Sequence, residues 1–335
     1  MTNGRTAAFN AADAPAPFPR VSSEILVEVE HLSRNYGELR ALDDVSFTIH
    51  QGEILGFLGP NGAGKTTTMQ ILSGNLAPSA GRVRIGGHDL RAEPRAAKRL
   101  LGYLPELPPL YRDLTVDEYL DYCAALHRVA RARRRAARET VKAKCGLAEV
   151  GRRLIGNLSK GYQQRVGLAQ AIIHVPALVI LDEPTAGLDP IQIREIRALI
   201  RELGKDHGII LSTHILPEVQ AICDRVQILH RGRLVLSDTI DALTRHLKSS
   251  VLVAAFRRPP APAALEALAG VQQVEAVGAG RFRIVHEGAE TLSDTLVAHA
   301  CAHDWGLYEV APERASLEQI FVELTLGEPT AQAAA

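Results

Sequence analysis

Gly59-Pro60-Asn61-Gly62-Ala63-Gly64-Lys65-Thr66-Thr67 decides the fold of this chain. The stretch fits Gly-x-x-x-x-Gly-Lys-Thr, a loop that cradles phosphate. The apolar run Ile54-Leu55-Gly56-Phe57-Leu58 leads into it and reads as a strand. Residues 65–72 lead out of it as a helix that stops at Ser73-Gly74. That strand–loop–helix context is what the motif requires. Glycines at 59, 62 and 64 let the backbone curl until successive N–H groups face one concavity. The concavity opens at a helix N-terminus, where unpaired donors and the helix dipole favour an anion. Lys65 brings a positive charge to the outer phosphates of a nucleotide, and the Thr66 hydroxyl suits Mg²⁺. A glycine-rich turn that binds nothing has no need of these flanking elements.

Around that loop, the bulk numbers describe an ordinary globular protein. The chain has 335 residues, enough for about two domains. Its formal net charge is zero, so no overall basic footprint points to nucleic acid. No apolar run approaches the roughly 20 residues of a membrane helix. The polar N-terminus has no apolar signal core, which predicts that the chain is not exported. Cys123, Cys145, Cys223 and Cys301 are scattered without Cys-x-x-Cys or metal spacing, and read as reduced thiols.

Residues 1–22 are rich in Ala, Pro and Asn and read as a disordered tail. Strands follow from Ile25 and over residues 45–49, with Tyr36-Gly37 in a loop between them. The Tyr36 ring suits stacking on a nucleotide base; a plain surface tyrosine fits the position equally well. Residues 82–85 alternate like an exposed strand, residues 92–100 read as a helix and residues 101–104 as a short strand. Three prolines in Pro105-Glu106-Leu107-Pro108-Pro109 fix a stiff loop. Thr115-Val-Asp-Glu118 fits a capping box and opens a helix over residues 116–128. Residues 128–138 are dense in arginine and helical by propensity. They read first as a solvated face and second as a contact for an anionic surface.

Ser159 is a natural N-cap for a helix over residues 161–173. Close behind lies Ala177-Leu-Val-Ile-Leu-Asp182-Glu183-Pro184, an apolar run ending in two carboxylates. Such a run reads as a buried parallel strand, whose C-terminal end lies where α/β sheets bind ligands. Asp182 suits Mg²⁺, and Glu183 suits a general base that orients water. Gly187-Leu188-Asp189 follows in a turn, then a helix over residues 191–203. Residues 208–212 make another buried strand, with His214 just beyond its end. A structural histidine is the plain reading; its place in line with Glu183 favours contact with a phosphate oxygen.

Taken together these pieces resemble the ATP-binding subunit of an ABC transporter. Gly59 to Thr67 resembles Walker A, Leu178 to Glu183 Walker B, and Leu158-Ser-Lys-Gly-Tyr-Gln-Gln the family signature. Pro105-Glu106 falls at the Q-loop, Gly187-Leu188-Asp189 at the D-loop, His214 at the switch histidine and Tyr36 at the adenine-stacking aromatic. The match covers residues 25–243 in order and spacing. It implies an α/β P-loop NTPase core over residues 23–246, with a helical subdomain at about residues 107–170. It implies ATP and Mg²⁺ as cofactors. The nucleotide would meet Tyr36, Gly59, Pro60, Asn61, Gly62, Ala63, Gly64, Lys65, Thr66, Thr67 and Asp189. Metal ligation would fall to Thr66, Glu106 and Asp182, and catalysis to Glu183, His214 and Lys65. It also implies an ATP-dependent homodimer in which Ser159, Lys160 and Gly161 of one subunit close on the ATP of the other.

Two departures stand out. Lys160 and Tyr162 replace the usual Gly and Gln of Leu-Ser-Gly-Gly-Gln, and Glu106 stands where the Q-loop carries Gln. The Tyr-Leu-Pro-Glu and Leu-Ser-Lys-Gly-Tyr forms resemble ABC-2-type exporter ATPases, including the gliding-motility-type subgroup. The resemblance implies a separate integral membrane permease as partner, docked near Leu110 and Tyr111. It places the chain in the cytoplasm, at the inner face of the membrane only through that permease, with no nucleic acid bound. A soluble ABC ATPase of DNA repair or translation is the competing class. Fewer than a hundred residues separate Walker A from the signature, which leaves no room for a repair-type coiled coil, and a single cassette departs from the translation type. An importer subunit with a regulatory domain is a third reading.

From residue 250 the pattern changes. Strands at residues 251–256, 271–277, 281–285 and 306–310 alternate with helices at 261–268 and 291–302. The order βαββαβ predicts a small α+β, ferredoxin-like accessory domain over residues 250–326. A last helix is expected over residues 316–326 and a disordered tail over 327–335.

Overall fold

The computed structural model describes residues 25–246, 251–286 and 292–312. The expected tails and the expected helix over residues 316–326 lie outside the described residues. The chain divides into two compact units, with the boundary between Asp238 and Thr239.

The first unit opens with β1 (Ile25–Tyr36) and β2 (Leu39–His50), an antiparallel hairpin. Tyr36 is the last residue of β1, so it borders the turn at Gly37. Then come β3 (Ile54–Leu58), α1 (Lys65–Leu72), β4 (Ala80–Ile85), β5 (His88–Asp89), α2 (Pro94–Arg99) and β6 (Leu101–Leu104). A helical stretch follows: α3 (Val116–Leu126), α4 (Arg131–Cys145) and α5 (Lys160–Ile172). The chain returns through β7 (Leu178–Asp182), α6 (Pro190–Leu203), β8 (Gly208–Thr213), α7 (Leu216–Ile222), β9 (Arg225–His230) and β10 (Arg233–Thr239).

These strands make two sheets, ordered β2-β1-β4-β5 and β10-β9-β3-β8-β7-β6. In the second, β9, β3, β8, β7 and β6 are mutually parallel. Every residue of β3, β7 and β8 is buried, which is why their sequences are continuous apolar runs rather than alternating ones. Phe47 of β2 meets Phe57 of β3 edge-on, with ring centroids 5.0 Å apart. That pair joins the two sheets in one core with Leu26, Ile49, Leu55, Met69 and Ile180. Such a geometry adds about 0.5–1.5 kcal/mol beyond area burial.

In the helical stretch the predicted capping box is present. Glu118 N donates to Thr115 Oγ1 at 3.3 Å, and Thr115 N donates to Glu118 Oε2 at 2.8 Å. The arginine-dense stretch is not one helix from Arg128, as its propensity suggests. Arg128 takes φ 59° and closes α3: its N–H bonds Ala125 O, and the N–H of Val129 bonds Ala124 O. This is a Schellman stop with arginine in the place usually held by glycine.

After α8 (Ile240–His246), the second unit contains β11 (Val251–Phe256), α9 (Pro262–Glu266), β12 (Val271–Gly278), β13 (Arg281–His286), α10 (Leu292–Ala302) and β14 (Leu307–Pro312). Its sheet order is β12-β13-β11-β14, and each neighbouring pair is antiparallel. That is the ferredoxin-like arrangement the βαββαβ order predicts. Leu252, Phe256, Leu265, Phe282, Ile284 and Leu296 fill its core.

Candidate nucleotide site

Register places the chemistry. Leu58, the last residue of β3, pairs with Thr213 of β8, and Asp182, the last of β7, pairs with Ser212. The phosphate loop, the two carboxylates and His214 therefore leave three adjacent strands at the same sheet edge. At that edge a cleft of about 520 Å³ is lined by Tyr36, Asn61, Gly62, Gly64, Lys65, Thr66, Thr67, Glu106, Glu183 and His214, with Leu39, Ala41 and Ala186 completing the wall.

The loop itself is shaped by glycine. Gly64 precedes α1 at φ 107°, and a Cβ there would stand 2.7 Å from Leu42 Cδ2 and 2.8 Å from Ala41 O. No other residue fits. Lys65 is buried, and its Nζ donates to Gly59 O at 2.8 Å and to Pro60 O at 3.3 Å, with Glu183 Oε1 at 3.8 Å. Burial pulls the Lys65 pKa down, against the pull of Glu183, Asp182 and Glu106. The loop carbonyls thus hold the ammonium in place beside the cleft. Tyr36 is half exposed, and Arg34 lies 4.7 Å from its ring centroid, a stacking contact that leaves the ring along the cleft wall.

Asp182 is almost wholly buried and accepts from Ser212 Oγ at 2.6 Å. Burial pushes its pKa up; the bonds from Ser212 and Thr66 work the other way. Glu183 accepts from or faces His214 Nδ1 at 3.0 and 3.1 Å through its two oxygens. Its pKa is also raised by burial, with His214 opposing. Its backbone is unusual: Glu183 sits at φ 46°, a left-handed conformation that costs a non-glycine residue about 1–3 kcal/mol. The turn that follows is closed by Ala186 N on Glu183 O, and Glu183 N itself bonds Ser212 O across the sheet.

The other expected residues lie elsewhere. Ser159 caps α5 by accepting from Tyr162 N at 3.4 Å. With Gly161 it lines a separate cavity of about 140 Å³, shared with Gly146, Tyr162, Arg165, Gln192 and Glu195. Lys160 lays its ammonium against Gly187, and Asp189 caps α6 by accepting from Ile191 N and Gln192 N. One chain therefore brings the phosphate loop, Glu106, Asp182, Glu183 and His214 together, and keeps Ser159, Lys160 and Gly161 out of that cleft. Sequence reasoning missed Ser212. Its signal was faint: a hydroxyl at the end of an apolar run, meaningful only once the register is known.

Comparison with known proteins follows the same outline. The family described as ABC transporter matches residues 42–186. The uncharacterized ABC transporter ATP-binding protein YdbJ of Bacillus subtilis (strain 168) is 33% identical over 307 residues, covering 90% of this chain and 96% of that protein. The bacitracin transport ATP-binding protein BcrA of Bacillus licheniformis is 37% identical over 222 residues, covering 66% of this chain and 72% of BcrA. Among solved structures, cbiO1 from Clostridium perfringens, part of the ABC transporter complex cbiONQ, superposes with a TM-score of 0.61 at 29% identity, over 66% of this chain and 91% of cbiO1.

Proposed function

This chain belongs to the ABC transporter ATP-binding proteins, and from that premise we propose how its residues divide the work of binding and hydrolysing ATP. The observation that carries the proposal is the shared sheet edge. Register brings Lys65, Thr66, Glu183 and His214 to one cleft, with Asp182 buried beneath it within reach of Thr66 and Lys65.

The donors fit a nucleotide with Mg²⁺. The glycine cradle admits backbone N–H groups to close range of a phosphate, and Thr66, Asp182 and Glu106 offer only hard oxygen donors. Thr66, Asp182 and Glu106 would hold Mg²⁺, which when bound would supply positive charge to offset that of the phosphates. Lys65 stabilises the negative charge of the transferring phosphoryl group. Asp182 and Thr66 hold the metal side of the cleft, and Ser212 orients Asp182. Glu183 accepts the proton of the attacking water, and burial, by raising its pKa, makes the ionised carboxylate a stronger proton acceptor. His214 fixes the carboxylate and offers its other nitrogen to the cleft. Tyr36 stacks on the base.

We infer that Ser159, Lys160 and Gly161 complete the cleft of a second copy, because their own chain holds them apart from its phosphate loop. A helix N-terminus with a capping hydroxyl and a lysine suits a phosphate from that side. Among the described residues no helix is long and apolar enough to cross a membrane. Work on a transported solute then falls to a membrane permease. Of the two residues expected at that contact, Tyr111 is exposed and Leu110 only partly so; Leu107, also exposed, extends the apolar surface beside Glu106. The Tyr-Leu-Pro-Glu and Leu-Ser-Lys-Gly-Tyr motif forms favour export, and BcrA, named for bacitracin transport, supports a transport role. Glu183→Gln tests the core of the proposal: ATPase activity should be lost and ATP binding kept.

A further inference from the structure

Glu218, on α7, has no exposed surface and does not line the cleft. Its Oε1 accepts from Thr185 Oγ1 at 2.6 Å and faces the Arg197 guanidinium at 3.4 Å; its Oε2 accepts from Thr213 Oγ1 at 2.9 Å. Each partner belongs to a segment that carries chemistry. Thr185 lies two residues beyond Glu183, Thr213 immediately precedes His214, and Arg197 lies on α6, the helix capped by Asp189.

We propose that Glu218 is a positioning residue for hydrolysis, a buried clamp that holds the Glu183 turn against the His214 segment. The proposal rests on the reading of Glu183 as base. Two physical arguments support it. First, the left-handed backbone of Glu183 persists only where the surroundings over-determine it, and Thr185 lies in the turn that must be held. Second, a wholly buried carboxylate is a poor way to stabilise a core, since apolar residues of similar volume fill such a site at lower desolvation cost. Its two oxygens instead fix two hydroxyls in one geometry, and so fix the contact between His214 Nδ1 and the Glu183 carboxylate. A displacement of about 1 Å at a reacting group costs on the order of 10²-fold in rate. The phosphate loop is reached by none of these bonds, so binding should be spared.

The test uses the full chain, with steady-state ATPase kinetics, affinity for a non-hydrolysable ATP analogue, and thermal unfolding. Thr185→Val removes one donor and keeps the volume. It should lower kcat by about tenfold or more, leave KM and analogue affinity within about twofold, and be rescued by Thr185→Ser, which restores the hydroxyl. Glu218→Gln should act in the same direction and more strongly; if it does not fold, the Thr185 pair still decides. Wild-type kcat in a folded Thr185→Val would overturn the proposal. So would a loss of kcat that falls together with affinity and melting temperature and is not rescued by serine, the mark of a merely structural role. Glu183→Gln separates the two readings. If it is inactive while Thr185→Val is fully active, only the clamp fails; if it turns over normally, the base and the clamp fail together.

Discussion

His214 Nδ1 stands 3.0 Å from Glu183 Oε2, and the carboxylate it faces is buried while the imidazole is half exposed. Burial raises the Glu183 pKa above the ordinary carboxylate value, and the imidazole is the strongest influence holding it down. The base works only when ionised, so turnover should fall on acidification through that raised pKa. Removing the imidazole removes the restraint, and the pKa climbs further. The acid limb of kcat against pH should therefore move to higher pH in His214→Ala. A limb that stays put or moves down would show that the imidazole does not tune this carboxylate.

The same shift has the opposite sign for folding. A carboxylate whose folded pKa is raised favours the folded state only while protonated, below its unfolded pKa; that contribution is lost as pH rises through the folded pKa. Ionised at neutral pH, Glu183 should thus lower the stability of the fold. Glu183→Gln should raise the melting temperature at neutral pH, and the gain should shrink toward acid pH. A neutral-pH melting temperature equal to or below that of wild type would show that Lys65 and His214 fully offset the burial.

Ser212 donates to Asp182 across the β7–β8 pair at 2.6 Å, with both residues buried. Hydrogen bonds to a charged group contribute about 1.5–3 kcal/mol. Ser212→Ala should let the Asp182 pKa rise further and weaken its hold on the metal, so the Mg²⁺ concentration for half-maximal ATPase activity should rise about tenfold or more. An unchanged Mg²⁺ titration would place the metal on other ligands.

Glu106 lines the cleft near enough to Lys65 and Asp182 to act on both. An amide oxygen ligates Mg²⁺ or holds a water as a carboxylate does, and it removes one anion from beside the phosphates. Glu106→Gln should therefore keep substantial ATPase activity. A loss as deep as that of Lys65→Ala would show that the charge itself is required.

How much of this was legible depended on whether the signal was local. The phosphate loop and the buried strands read directly, because a parallel strand covered on both faces is a continuous apolar run and the loop needs its own glycines. Arg128 did not read, because arginine gives no local sign of a left-handed helix stop. Tyr36 is open from position alone; the structure puts it on the cleft wall, where base stacking remains the proposal. Ser212 with Asp182, and Glu218 with Thr185 and Thr213, are pairings about thirty residues apart in the former and five to thirty-three in the latter. Only sheet register and helix packing create them, and no spacing rule points there. Ser159, Lys160 and Gly161 were recognised through their motif, but no sequence feature says that they stand outside their own chain's cleft.

That separation sets up the last prediction. Lys65, Thr66 and the loop N–H groups bind phosphate without help from Glu183, whereas hydrolysis needs a group to take the proton of the attacking water. Glu183→Gln keeps the shape and removes the base. General-base assistance is typically worth about 10²–10⁴-fold, so turnover should fall by about that much while ATP still binds. ATP that is not consumed would keep Ser159 and Gly161 of one subunit closed on the phosphate loop of another. Glu183→Gln with Mg-ATP should therefore elute in size-exclusion chromatography as a stable dimer, and wild type with ADP as a monomer or weak dimer. Adding Ser159→Arg to the same variant should abolish the dimer, because a bulky side chain at the α5 N-terminus blocks the approach of the second copy while leaving the cleft of its own chain intact. Near-normal turnover in Glu183→Gln would remove the base assignment. Loss of turnover without gain of dimer would keep the base and assign Ser159 and Gly161 to a different ATPase subunit as partner.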